Sequence, residues 1–283
     1  MRVDKNKKAK ALKKKRRIFL FLIIVSLVVL GYTCNYIVHW FFDSKNIEKE
    51  IADIEQIVSV SEVDVPVEDE NVVTYSEENE PETSPYWSYI SMDMLTVDFS
   101  NLKSENSDTV AWLKVNGTNI NYPVVQTTDN SYYLKHSFKK SSNRAGWIFM
   151  DYRNSVTSFD RNTIIYGHNR ADSTMFGSLK NILTSSWLNN TNNHVVKLST
   201  ETESTLWQVF SVYHISTTDD YLQTQFSSDT QFVNFIEMLQ SRSIFKFNTS
   251  VSANDKILTL STCYGNDSER TVLHAKLIKK YTL

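Results

Sequence analysis

Cysteine is scarce in this chain: it holds two among 283 residues, Cys34 and Cys263. The sequence has no Cys-x-x-Cys and no His-Glu-x-x-His, so the usual zinc frameworks are not expected and neither a metal nor a cofactor is implied. Cys34 falls inside a long apolar run and Cys263 far outside it, which leaves Cys263 without an intramolecular disulfide partner. Proline is nearly as sparse, and Pro66, Pro81 and Pro85 of the four fall in one acidic stretch. Neither sign of charge dominates the whole, the net charge being −2. Internal repeats are absent, and the low-complexity tracts are two charged ones near the N-terminus.

Charge is missing altogether from Ile18 to Phe42. A helix needs roughly 20 apolar residues to cross a bilayer, and this run is long enough. Before it stand Lys5, Lys7, Lys8, Lys10, Lys13, Lys14, Lys15, Arg16 and Arg17. Such a block stays cytoplasmic and puts the chain after Phe42 on the outer face. Tyr32, Tyr36 and Trp40 fall toward the far end, where amphipathic aromatics suit the headgroup region. A cleavable signal peptide would have a shorter apolar core and a small-residue cleavage site. The expectation is a single-pass cell-membrane protein. Residues 1–17 form a basic cytoplasmic tail, 18–42 a transmembrane helix in the lipid bilayer, and the rest is extracellular. The basic cluster abuts the span, so it serves topology and anionic lipid, and no nucleic-acid partner is expected.

Residues 43–85 read as a helix followed by an acidic, flexible linker. Ile47, Ile51, Ile54 and Val58 recur at helical spacing. Glu62 to Pro85 holds Glu68-Asp69-Glu70, Glu77-Glu78, Glu80 and Glu82. A stretch so charged buries too little apolar surface to offset its ordering entropy, which predicts a self-repelling spacer.

Residues 86–283 have the composition of one globular domain with a sizeable core. Strand-like runs rich in Val, Ile, Tyr, Phe and Thr fall at Val110–Val115, Asn119–Val125, Gly146–Tyr152, Thr163–Gly167, His194–Leu198, Thr205–Ile215, Lys256–Cys263 and Thr271–Tyr281. Asn116-Gly117 makes a good hairpin turn. Helices are predicted at Tyr86–Leu95, Met175–Leu183 and Ser228–Arg242, the last with Phe232, Phe235, Ile236 and Leu239 on one face. Many short strands with inserted helices predict a mostly β fold, a closed or nearly closed barrel.

Cys263 ends the apolar run that begins at Lys256. On the outer face thiols usually pair, so an unpaired one is either a small buried hydrophobe or a reactive group. A cysteine nucleophile needs a thiolate, a proton shuttle and an oxyanion stabiliser. His39 lies by the membrane span, and His136, His194, His214 and His274 sit among ordinary patterned residues. His168 differs: it follows Thr163-Ile-Ile-Tyr-Gly167 and opens a polar loop. Gly167 there predicts a sharp turn at a strand end, where functional side chains collect. Arg270 begins the last strand, and a strand–loop–strand return brings it beside Cys263. Its fixed charge suits an oxyanion, or an ion pair with Asp267 or Glu269. Asp172 and Asp267 are the candidate carboxylate partners of His168. The order His before Cys argues against papain-like peptidases, and the His–Cys separation exceeds the roughly 50 residues of caspases.

These segments together resemble the sortase family, class B. Thr259-Leu-Ser-Thr-Cys263 looks like the family's cysteine signature. Ile164-Ile-Tyr-Gly-His168-Asn, with Met175-Phe-Gly-Ser-Leu179, looks like its histidine segment. Asn121-Tyr-Pro-Val-Val-Gln126, Asp129-Asn-Ser-Tyr-Tyr-Leu134, Gly146-Trp-Ile-Phe-Met-Asp-Tyr-Arg153 and Arg270-Thr-Val-Leu-His-Ala-Lys276 are also similar. The likeness runs from about Leu95 to the C-terminus, and the loop from Cys263 to Arg270 is short for the class.

The resemblance implies an eight-stranded sortase-type β-barrel and a cysteine transpeptidase. Cys263 would attack the carbonyl after the Thr of a sorting signal. His168 would move the protons, and Arg270 would hold substrate and oxyanion. Asn130, Leu134, Tyr166, Ser261 and Thr262 would line the substrate groove, with Tyr221 and Leu222 in one wall. The implied partners are secreted proteins with a C-terminal Pro-x-Thr-type signal and an amine of peptidoglycan or its precursor. The alternatives are a pilin-polymerising enzyme that uses a pilin lysine, a hydrolytic cysteine peptidase and a non-catalytic surface binding module.

Overall fold

The computed structural model describes residues 2–75, 81–155, 157–263 and 269–283, with 2–9, 11 and 263 described by their backbone alone. The chain divides into two compact units, Met1–Glu48 and Lys49–Leu283. Helix α1 runs Arg2–Ile57. From Ile18 to Phe42 it is exposed on every side, and Leu12–Ile57 is long and apolar enough to cross a membrane. A helix that is apolar all round needs an apolar surround.

The second unit continues with β1 (Val60–Val63), β2 (Val72–Thr74), α2 (Pro85–Ile90), β3 (Met94–Val97), α3 (Ser100–Glu105), β4 (Thr109–Val115), β5 (Asn121–Val125), β6 (Phe149–Met150), β7 (Asn162–His168), α4 (Ser185–Asn189), β8 (Val195–Ser199), β9 (Glu203–Ser216), α5 (Asp229–Arg242), β10 (Ile257–Cys263) and β11 (Glu269–Thr282). Neighbours in the main sheet follow the order β10-β7-β6-β5-β4-β8-β9-β11, and β10 pairs again with β11, closing a barrel of eight strands. Closure removes the exposed sheet edges that invite aggregation. The long strands β9 and β11 pair antiparallel, with irregularities at His274/Ala275 and Leu277/Lys279. Such bulges bend a strand and help a sheet to curl.

Strand β10 lies between β7, parallel, and β11, antiparallel. It is buried from Ile257 to Ser261: Ile257, Leu258 and Leu260 have no exposed surface, nor do Thr259 and Ser261. Helix α5 packs Phe232, Phe235, Ile236 and Leu239 against Phe210, Tyr213, Tyr221 and Val272. Burying each such side chain stabilises the fold by roughly 1.5–3 kcal/mol. Ser228 caps the helix by accepting from the Gln231 N–H at 3.1 Å.

Three predicted elements come out differently. The helix expected at Tyr86–Leu95 ends at Ile90, and Met94–Val97 turns into strand. In place of a helix at Met175–Leu183 there is a tight 3-10 turn at Leu179–Leu183, because Met175 takes a left-handed φ of 52°. The run Gly146–Tyr152 is shortened to Phe149–Met150.

The acidic segment from Glu62 onward also departs from a free spacer where it is described. The Glu62 carboxylate accepts from both Lys114 and Lys197 on the barrel. Strand β2 pairs with β11 where that strand runs past the end of β10, Val72, Val73 and Thr74 lying against Tyr281, Lys280 and Lys279. Lys279, fully buried, donates to the Val65 carbonyl at 2.6 Å and the Ile90 carbonyl at 2.9 Å. A buried ammonium needs such acceptors, and the N-terminal segment supplies them. Composition argued for disorder, but Lys114, Lys197 and Lys279 of the barrel give the Glu62 carboxylate and the Val65 and Ile90 carbonyls something to bind. Residues Lys49–Ile57 also dock, Asp53 pairing with Lys139 at 2.7 Å.

Candidate active site

Strands β7 and β10 run parallel, in register from Ile257↔Asn162 to Cys263↔His168. Adjacent strands lie about 4.8 Å apart, so the backbones of Cys263 and His168 are immediate neighbours at one barrel rim. Strand β11 returns antiparallel on the other side of β10, in register through Ser261↔Val272. The Thr271 N–H then donates to the Thr262 side-chain oxygen at 2.9 Å. Counted on along that register, Arg270 stands opposite Cys263. Three strands thus bring His168 beside Cys263, some 95 positions later in the chain, with Arg270 on the returning strand.

His168 is mostly buried. Its Nε2 lies 2.8 Å from the Leu134 carbonyl, which can only accept, so that nitrogen carries the proton. In the neutral ring Nδ1 is then the basic atom. Burial pulls its pKa below the ordinary imidazole value, and the charge of Arg170 adds to this against the Leu134 bond. The resting ring is therefore neutral near pH 7.

Two glycines make room here. Gly146 has a φ of +62°, and a Cβ on it would lie 2.5 Å from the Tyr133 carbonyl oxygen and 2.8 Å from Cδ2 of His168. Gly167 serves differently from the expected turn. It lies within β7, and a Cβ there would sit 2.7 Å from the Phe176 ring. The bend comes later, at the left-handed Ser173 and Met175.

The Arg270 side chain is 12% exposed and 3.7 Å from the Asp219 carboxylate. Its Nη1 donates to the Tyr221 hydroxyl at 3.2 Å, and that hydroxyl lies 2.9 Å from Ser261 Oγ. A groove of about 320 Å³ opens beside Arg270, lined also by Asn130, Leu134, Phe149, Tyr166, Asp219 and Leu222. The groove thus collects Asn130, Leu134, Tyr166, Leu222 and Arg270 of the expected site.

Tyr221, Ser261 and Thr262 are not groove-lining residues. Tyr221 and Ser261 are wholly buried and Thr262 is 1% exposed. Ser261 and Thr262 belong to a strand covered on both sides, and the Tyr221 ring turns inward against Tyr213 and His274. They hold Arg270 and the end of β10 from behind. Phe149 and Asp219 also line the groove; neither was assigned to it, although Phe149 lies within the Gly146–Arg153 motif and Asp219 stands two residues before Tyr221. The Asp172 carboxylate is engaged by Arg170 at 2.5 Å and by Thr174. Asp267 lies outside the described residues.

A family model for the sortase domain matches residues 113–278. Sortase B of Listeria monocytogenes is 38% identical over 193 residues, 65% of this chain and 75% of that protein. A crystal structure of sortase B from Bacillus anthracis in complex with AAEK1 is 36% identical, with a TM-score of 0.66 over 84% of this chain and 99% of that one. A sortase B–substrate complex from Staphylococcus aureus is also 36% identical, with a TM-score of 0.60 over 64% of this chain and 84% of that one. With the closed barrel and the juxtaposed strand ends, these likenesses lead to one conclusion: the chain belongs to the sortase family of cysteine transpeptidases, in its class B.

Proposed function

We propose that this enzyme is anchored in the cell membrane by residues 18–42, with its N-terminus cytoplasmic. There it transfers secreted proteins that bear a C-terminal Pro-x-Thr-type signal to an amine of peptidoglycan or its precursor. The observation that carries this reading is the pairing of Cys263 with His168 at the rim, with Arg270 opposite and the groove adjoining.

In this mechanism His168 Nδ1 takes the thiol proton, and the Cys263 sulfur attacks the carbonyl carbon of the signal's Thr. Arg270 donates hydrogen bonds to the developing oxyanion. The Thr carbonyl–nitrogen bond breaks, imidazolium protonates the leaving amine, and a thioester remains on Cys263. The acceptor amine attacks that thioester and gives its proton to His168. The new amide leaves, and the thiol is regenerated. The apolar groove walls, Leu134, Phe149 and Leu222, suit an extended peptide, and the related S. aureus enzyme has been seen with a substrate bound.

The test uses the full chain in detergent micelles, with Cys263→Ala as control. Pro-x-Thr peptides are supplied with and without a peptidoglycan-type amine or a lysine-bearing pilin-type peptide, and products are weighed by mass spectrometry. A thioacyl adduct on Cys263, resolved to amide by the peptidoglycan-type amine, supports the reading. Preference for the pilin-type lysine would reassign the acceptor. Cleavage that survives Cys263→Ala would overturn the mechanism.

A further inference from the structure

Asp151 follows β6 and has no exposed surface. Its Oδ2 accepts from the Tyr166 hydroxyl at 2.9 Å, the Asn130 amide at 2.9 Å and Arg153 Nη2 at 2.7 Å. Its Oδ1 accepts from the Arg153 backbone N–H at 2.9 Å and from Arg153 Nε at 2.8 Å. Arg153 Nη2 in turn donates to the Leu222 carbonyl at 3.0 Å. Asn130, Tyr166 and Leu222 all line the groove, yet they come from three separate segments of the chain. One buried carboxylate ties all three.

The Asn130 amide is held at both ends, since its Oδ1 accepts from the Tyr152 N–H at 3.0 Å. Its oxygen and nitrogen cannot exchange places, so the amide offers the groove a donor. Burial alone would raise the Asp151 pKa, but the bonds from Arg153 and Tyr166 hold it below the usual carboxylate range. The group therefore stays ionised and accepts from every neighbour.

We propose that Asp151 is a positioning residue for substrate recognition: it presets the Asn130 amide, the Tyr166 hydroxyl and, through Arg153, the Leu222 wall for an extended peptide. This rests on the sorting peptide lying in that groove. Groups already oriented do not have to be ordered when the peptide binds.

The experiment compares wild type with Asp151→Asn, full chain in micelles. Peptide transfer is measured together with the NMR signals of asparagine side-chain amides. Asp151→Asn is expected to raise KM about tenfold while kcat stays within about twofold, as for loss of hydrogen bonds to a charged group. Alkylation of Cys263 by iodoacetamide, located by peptide mapping, stays at the wild-type rate, and the Asn130 amide pair shifts. Adding Tyr166→Phe to Asp151→Asn should raise KM little further, because both cut the same tie. A wild-type KM, multiplying effects, or an unshifted Asn130 amide overturns the proposal.

Should Asp151→Asn not fold, Tyr166→Phe and Arg153→Met keep the carboxylate and each remove one tie. A KM raised about threefold in both supports the proposal, and an unchanged KM in both overturns it. The amide signal is recorded without peptide, so it reads positioning even where wild type transfers nothing. That last result would count against the assigned reaction and not against the positioning.

Discussion

The Leu134 carbonyl accepts the Nε2 proton of His168 at 2.8 Å, and Leu134 also lines the groove. One residue therefore both orients the imidazole and meets the site where a peptide would lie. The bond assigns the tautomer, so Nδ1 is the atom left for proton transfer.

Nitrogen NMR of Cys263→Ala should show His168 protonated on Nε2 at pH 7. Its titration midpoint should fall below 6.5, because burial disfavours the cation. A midpoint above 6.5, or the opposite tautomer, would contradict the assignment.

Gly146→Ala should be among the most damaging single-methyl changes in the barrel. The new Cβ meets the Tyr133 carbonyl and the His168 ring, at a φ of +62°. The backbone conformation alone costs about 1–2 kcal/mol, and the displaced ring should lower transfer at least tenfold. Urea unfolding and peptide transfer measure the two effects.

Tyr221→Phe keeps the buried ring but removes the hydroxyl shared by Arg270 and Ser261. Stability should fall by about 1 kcal/mol. Arg270, left with a looser hold, should lose roughly tenfold in kcat/KM. Steady-state kinetics with unchanged far-UV circular dichroism would check this, and kinetics like wild type would show that Arg270 needs no such support.

His274 is wholly buried between Tyr213 and Thr259, at 2.8 and 2.9 Å, and burial pushes its pKa down to about 3. The unfolded chain takes up this proton near pH 6.5, whereas the folded chain takes it up only near pH 3. Stability is thus full above pH 6.5 and declines as pH falls through that window. The loss between pH 7 and pH 5 is about 2 kcal/mol from this group. Urea midpoints at the two values should show it. His274→Gln should flatten the slope, leaving the smaller same-sign contributions of His168 and His194.

Strand and helix periodicity made much of the barrel legible. β7, β10 and β11 read directly from their apolar runs, and the buried face of α5 followed from Phe232, Phe235, Ile236 and Leu239. The motifs around Cys263, His168 and Arg270 pointed to their neighbours, because those residues sit at strand ends with characteristic flanks. Local pattern failed where tertiary partners overrode it. Met175 is forced left-handed, Gly167 is small to admit the Phe176 ring, and the acidic segment after Glu62 is tied down by lysines distant in sequence.

The chain's order of residues was enough by itself to mark the apolar N-terminal helix and a mostly β barrel, which rest on composition and periodicity, while contiguous motifs carried the resemblance that implied the barrel's class and the roles proposed for Cys263, His168 and Arg270. Tertiary structure decided which side chains face the groove and which stand behind it. Tyr221 and Ser261 turned inward, Asp219 and Phe149 turned out, and Asp151 gathered Asn130, Tyr166 and Arg153. The reason is physical: burial and hydrogen-bond partners depend on segments that meet only after the barrel closes, and no local pattern records them.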